Sequence, residues 1–286
     1  GSEKPFVFRD KSQPAPDCAE VMSWIYTHDN PYYPKDNRPL IRAWDLATGK
    51  EVWSKDFSDL GSGGNDCGLC LMGDRLYYST FFGYAAKRKG EPGPKGVTAA
   101  LDPATGKVLW ITTNYYVTAG CTLSGKDGRL YLGGYNKPHE QTKDRHVWCL
   151  DARDGKLVWQ SEPVASAVNV ISVGDRFVFT NASGRDGHIL DRATGKILSR
   201  FNFAYACTRF TLAEPHLLGA NMDLIDLAGD NRLVSTGPPL EPRECVGAIV
   251  SNGRLFYTAQ ASGLQACQVG ADDRVPLPAW RSSPPR

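Results

Sequence analysis

Four times the chain writes nearly the same eleven residues. They read AWDLATGKEVW at 43–53, ALDPATGKVLW at 100–110, CLDARDGKLVW at 149–159 and ILDRATGKILS at 189–199. A fifth, degraded copy is LIDLAGDNRLVS around Asp226, and a sixth is ACQVGADDRVP, aligned with Val269 in the aspartate slot. The marker residues Asp45, Asp102, Asp151, Asp191, Asp226 and Val269 stand 57, 49, 40, 35 and 43 positions apart. A period near 45 is that of a four-stranded propeller blade, and repetition on this scale constrains the fold more than any composition does.

Each phrase explains its own geometry. An apolar pair ends one strand, and Asp-x-x-Thr-Gly makes the turn. The Asp carboxylate can accept from nearby backbone N–H groups, and Gly supplies the positive φ such a hairpin needs. The segments KEVW, KVLW and KLVW then open the next strand, with Trp53, Trp110 and Trp159 large enough to wedge between blades. Before each phrase lies another strand: VMSWIYT at 21–27, DRLYYST at 74–80, GRLYLGG at 128–134, DRFVFT at 175–180, HLLGAN at 216–221 and GRLFYTAQ at 253–260. The expectation is an all-β, single-domain β-propeller over residues 1–286, built of four-stranded blades with six recognisable repeats. The blades fall at roughly 15–57, 65–114, 119–162, 166–202, 205–237 and 243–286, with 4–10 as a candidate closing strand.

The repeated phrase resembles the PQQ-like repeat of quinoprotein-type β-propellers, a family that includes quinoprotein alcohol dehydrogenases and BamB-like assembly propellers. The resemblance implies an extracytoplasmic (periplasmic or secreted) protein. It stops short of a quinoprotein dehydrogenase: the chain has no adjacent Cys-Cys pair, and the calcium and catalytic-aspartate motifs have no counterpart. PQQ is therefore not an expected cofactor.

Bulk properties exclude other classes. A net charge of +2 over 286 residues argues against a nucleic-acid partner, and no apolar run is long enough to be a transmembrane segment. The eight cysteines are too few for a disulfide scaffold.

Two features point to the face of the propeller where inner strands begin. Cys18, Cys67, Cys121, Cys207 and Cys245 each stand near the start of an expected inner strand, and Asn169 takes that slot in the fourth repeat. Asp17, Asp66 and Glu244 precede three of them. Thiols repeated around a channel mouth would suit a soft metal such as Cu or Zn, and the same pattern suits core packing or disulfides. Cys67 and Cys70 form a single CxxC with no following His, so c-type haem is excluded. Cys149 and Cys267 read as core residues in equivalent slots.

The second feature is loop length. Residues 27–38, 81–96 and 135–146 form long connections in the first three repeats. Their Lys and Arg exceed their Asp and Glu by 0, 3 and 1, a sum of +4 against +2 for the whole chain. They hold His28, Tyr32, Tyr33, Phe81, Phe82, Tyr84, Lys87, Arg88, Tyr135, His139 and His146. A basic, aromatic rim suits a protein partner, a flanking domain, or an anionic or sugar-like ligand. No catalytic residues are singled out. The reading is a non-catalytic binding or scaffolding propeller using this face. Its alternative is a metal- or cofactor-binding redox or electron-transfer protein with a cysteine-lined channel mouth.

Overall fold

The structure is a computed structural model. It describes residues 24–29, 39–61, 67–82, 96–117, 123–135, 145–164, 168–182, 186–202, 210–213, 216–219, 224–227, 232–235, 248–251, 254–259, 263–268 and 278–281. Every regular element among them is a strand, and all pairings are antiparallel between chain neighbours. The first sheet contains β1 (Trp24–Asp29), β2 (Leu40–Asp45) and β3 (Glu51–Asp56). The second contains β4 (Cys67–Met72), β5 (Arg75–Phe81), β6 (Gly96–Leu101) and β7 (Val108–Thr112). The third contains β8 (Leu123–Lys126), β9 (Arg129–Tyr135), β10 (Arg145–Asp151) and β11 (Leu157–Gln160). The fourth contains β12 (Val168–Val173), β13 (Phe177–Ala182), β14 (Asp186–Asp191) and β15 (Ile197–Asn202). The fifth contains β16 (Phe210–Ala213), β17 (His216–Gly219), β18 (Leu224–Asp226) and β19 (Arg232–Ser235). The sixth contains β20 (Ala248–Ser251), β21 (Arg254–Ala259), β22 (Gly263–Gln268) and β23 (Pro278–Arg281). These are the blades of a β-propeller, and each repeated phrase spans the last two strands of a sheet.

Strand alternation builds the core between blades. On β5, Leu76 and Tyr78 face the first sheet, where they cluster with Ile41 and Phe57. Tyr77, between them, faces the third sheet and packs with Leu130, Leu132, Trp148 and Leu150. β6 alternates likewise, with Ala99 and Leu101 on one side and Ala100 on the other. Such a period of two, buried on both faces, is what a sheet sandwiched between two others requires. The pattern continues between third and fourth sheets through Tyr131, Val147, Cys149, Val178 and Leu190. Between fourth and fifth it runs through Phe179, Ile189, Leu217 and Ile225. Each blade thus buries its apolar faces only by stacking on its neighbours. The outermost strands expose Val52, Leu109, Val158 and Leu198, all in the position before the tryptophan slot.

The Asp turns have one geometry. The N–H of Asp45, Asp102, Asp151 and Asp191 donates to the carbonyl five residues on, at 2.8 Å in each case. The turn glycines Gly49, Gly106, Gly155 and Gly195 have φ of 67°, 70°, 72° and 74°. The Asp carboxylate caps the turn: Asp45 Oδ1 accepts from Thr48 N at 2.7 Å, and Asp191 Oδ1 from Thr194 N at 2.8 Å.

Two sequence expectations shift by one residue in the sixth repeat. Ala266 pairs with Trp280 and Cys267 with Pro278, just as Ala100 pairs with Trp110 and Leu101 with Val108. Gln268, not Val269, therefore holds the aspartate slot, and Cys267 takes the register of Leu150 rather than that of Cys149. Because strand faces alternate, Cys149 and Cys267 are not equivalent. The candidate closing strand 4–10 and the inner strand of the first blade lie outside the described residues.

Candidate functional site

Three tryptophans of the outermost strands lock the blades together. Trp53 Nε1 donates to the carbonyl of Pro103 at 2.8 Å, Trp110 Nε1 to Ala152 at 3.0 Å and Trp159 Nε1 to Arg192 at 3.1 Å. Each acceptor directly follows the turn aspartate of the next blade. The indoles lie on the glycine of that same turn.

The second and third blades seal this junction fully. Arg75 Nη1 crosses to donate to the carbonyl of Arg153 at 2.8 Å, and Tyr77 Oη donates to Ala152 O at 3.2 Å. At the next junction the equivalent residues behave differently. Arg129 Nη1 turns to Asp151 Oδ2 of its own blade, at 2.6 Å. The hydroxyl of Tyr131 and the thiol of Cys149 interact with each other. Arg192 stands where the other turns carry Pro103 and Ala152, and it reaches back to Asp127 Oδ2 at 2.7 Å. Lys126 Nζ meets Asp175 Oδ1 at 2.6 Å. With the cross-blade arginine withdrawn, a cleft of about 580 Å³ opens between the third and fourth blades.

Tyr131, Val158 and Trp159 give this cleft an apolar wall. Arg129, Arg176 and Arg192 face Asp127, Asp175 and Asp191 around it, three charges of each sign. It is balanced rather than steering, and its polar groups offer donors and acceptors together. Burial pushes the Cys149 thiol up to about 12 and the Tyr131 phenol to about 12. Desolvation thus favours the neutral form of both groups. Asp151 is held far below the usual carboxylate range, first by the Arg153 side chain, then by the Arg153 backbone N–H, with Arg129 adding to it.

The residues singled out from sequence are scattered by the structure. Phe81 and Phe82, expected on an exposed aromatic rim, are buried: Phe82 joins the core between first and second blades, and Phe81 stacks on Tyr116 at 6.3 Å. Their position at a strand end hid the fact that the inter-blade core extends to that end. His146 also leaves the rim. It belongs to β10, is buried, and its Nδ1 lies 2.8 Å from Ser161 O. His28 and Tyr135 fall within β1 and at the end of β9. Tyr32, Tyr33, Tyr84, Lys87, Arg88 and His139 lie outside the described residues.

Of the cysteine set, Cys67 is the first residue of β4, opposite Thr80. Cys18, Cys121, Cys207 and Cys245, with Asp17, Asp66 and Glu244, lie outside the described residues. Cys70 and Cys149 are free thiols, and Cys70 packs in the core between second and third blades. The cleft residues were not anticipated. Their signal was there in the departures from the repeat: Arg192 in place of Pro103 and Ala152, and Cys149 in the slot of Ala100.

Among described residues no helix is long and apolar enough to cross a membrane. Residues 94–202 match the family described as outer membrane protein assembly factor BamB. Among solved structures, the computationally designed Ika8 protein superposes with a TM-score of 0.61 at 14% identity, over 87% of this chain and 69% of its own. BamB from Moraxella catarrhalis gives a TM-score of 0.48 at 15% identity, over 80% of this chain and 78% of its own. No curated protein matches the chain. The Ika8 likeness is one of fold, while the BamB match covers the second half of the second blade and all of the third and fourth. The chain is thus a β-propeller whose second to fourth blades are similar to the repeats of the BamB family.

Proposed function

We propose that this chain is a non-catalytic binding or scaffolding propeller working outside the cytoplasm, with a protein partner on the face of its long connections. The carrying observation is an asymmetry. The connections between the second and third strands of the first three blades span residues 30–39, 82–95 and 136–144. In the last three blades they span only 183–185, 220–223 and 260–262. A hairpin needs two to five residues, so the longer connections exceed what folding requires. All three connect the same ends of equivalent strands in consecutive blades, which supports reading them as one face. The match of residues 94–202 to an assembly-factor family supports a role in holding other proteins.

The test replaces residues 83–95 with a short Asn-Gly hairpin, and separately 136–144. Partners are captured by in-cell cross-linking in the native host. The proposal expects both variants to fold, and one specific cross-linked protein to be lost in each. If every cross-linked species survives both replacements, the long-connection face is not the binding face. Metal analysis of protein from the native host tests the redox alternative, in which Cys18, Cys67, Cys121, Cys207 and Cys245 would hold Cu or Zn. A stoichiometric metal overturns the non-catalytic reading.

A further inference from the structure

Neighbouring blade junctions are fastened by different chemistry. Between the second and third blades the acceptors are neutral carbonyls. Arg75 Nη1 donates to Arg153 O at 2.8 Å, while Tyr77 Oη and Trp110 Nε1 both donate to Ala152 O, at 3.2 and 3.0 Å. Ala152 is buried. Between the third and fourth blades the matching indole bond is kept, Trp159 Nε1 to Arg192 O at 3.1 Å. The counterparts of Arg75 and Tyr77 bond within their own blade instead: Arg129 with Asp151, and Tyr131 with Cys149.

Charges fasten this junction. Lys126 Nζ meets Asp175 Oδ1 at 2.6 Å, Arg192 Nη1 meets Asp127 Oδ2 at 2.7 Å, and Arg200 Nη2 meets Glu162 Oε2 at 3.8 Å. Each pair joins the third blade to the fourth. The first two stand at the turn ends of the strands and the third beyond the other end of β11, so they bracket the docked Trp159. Among the described residues the remaining ion pairs all stay within one blade.

Salt acts unequally on the two kinds of fastening. The six side chains of the cross-blade pairs are between 22% and 77% exposed, so dissolved ions reach them. The screening length falls from about 10 Å in about 0.1 M salt to about 3 Å in about 1 M. A bond to a buried carbonyl escapes most of that screening. The cleft of about 580 Å³ lies at the same junction, with Asp127, Asp175 and Arg192 in its lining, so the blades already stand apart there.

We infer that the junction between the third and fourth blades is a salt-sensitive seam: rising ionic strength unfastens it locally, widens the cleft and uncovers Tyr131 and Trp159, while the junction between the second and third blades stays closed. The opening is sub-global and leaves the rest of the fold intact. The turns involved lie at the opposite strand ends from the long connections, so the inference is independent of the proposed binding face.

The test compares one bond at two junctions. Exchange of the indole N–H of Trp159 and of Trp110 with water is followed by NMR on protein labelled with nitrogen-15 tryptophan. The two resonances are assigned by their loss in Trp159→Phe and Trp110→Phe. Between about 0.1 M and about 1 M NaCl, exchange at Trp159 should quicken about fivefold relative to Trp110, whose rate carries any general effect of salt. Equal responses at the two indoles, or no response at Trp159, overturn the inference. A second arm separates screening from other actions of salt. Asp127→Asn combined with Asp175→Asn removes two of the pairs, and Asn tolerates the φ of 49° that Asp127 adopts. In low salt this variant should already show the faster Trp159 exchange, with a smaller further response to NaCl. A salt response as large as that of the native sequence overturns the inference. Should the variant fail to fold, the comparison of the two indoles in the native sequence decides alone.

Discussion

Trp110 and Gly155 contend for the same space: a Cβ on Gly155 would stand 2.7 Å from two atoms of the Trp110 ring. The glycine is thus fixed twice, by its φ of 72° and by the indole lying on it. Gly155→Ala is expected to cost about 2–4 kcal/mol, the sum of αL strain and overpacking. Gly128→Ala, at φ 70° with open space beside it, should cost only about 1–2 kcal/mol. Chemical denaturation of the two variants checks the difference, and equal costs would remove the docking contact from the account.

A buried hydroxyl pair pins the chain where it leaves the second blade. Ser79 Oγ accepts from Val117 N at 2.9 Å and lies 2.7 Å from Thr98 Oγ1, which in turn donates to Tyr115 O at 2.7 Å. Ser79→Ala leaves the buried Val117 N–H without that acceptor, an expected cost of about 1–3 kcal/mol. Hydrogen exchange at Val117 should rise in the variant. Unchanged protection there would show that the hydroxyl is dispensable.

Acid should weaken the fold through the turn carboxylates. Asp151 is depressed in the folded chain, while the unfolded chain protonates near 3.8. The unfolded state therefore binds the proton first as pH falls, so stability is full above pH about 4 and declines below it. Asp45, Asp154 and Asp175 are lowered too, each by hydrogen bonds to neighbours in an exposed setting, so their share is small. The urea midpoint of the native sequence should fall between pH 6 and pH 3. Asp151→Asn should start lower at pH 6 and fall less.

Thiol accessibility separates the cysteines. Cys149 is buried, and desolvation raises its thiol to about 12, so it should resist iodoacetamide at pH 8 until the chain unfolds. Cys70, also raised by burial, should behave likewise. A chelator should change neither. If a chelator instead frees Cys67 together with Cys18, Cys121, Cys207 and Cys245, a bound metal is the reason.

The blade itself was legible because its turn chemistry is local. Asp45, Thr48 and Gly49 make their contacts within five residues, so the phrase carries its own geometry wherever it recurs. The sixth repeat was misframed by one residue for the complementary reason. Its paired strands lie farther apart in sequence, and only their register shows that Trp280, not the spacing, marks the slot. Phe81, Phe82 and His146 were misplaced because burial at a strand end depends on the neighbouring blade. The cleft was invisible for a similar reason: it arises from which of two partners Arg129 and Arg75 choose, and that choice lies across a junction between blades.

Among the described residues each docked indole reaches forward along the chain, onto the turn of the next blade. Such a contact joins two unlike surfaces, a donor side and an acceptor side. Each of these turns therefore serves two blades at once, closing its own hairpin and seating the indole of the blade before it, so a fault in one turn loosens both.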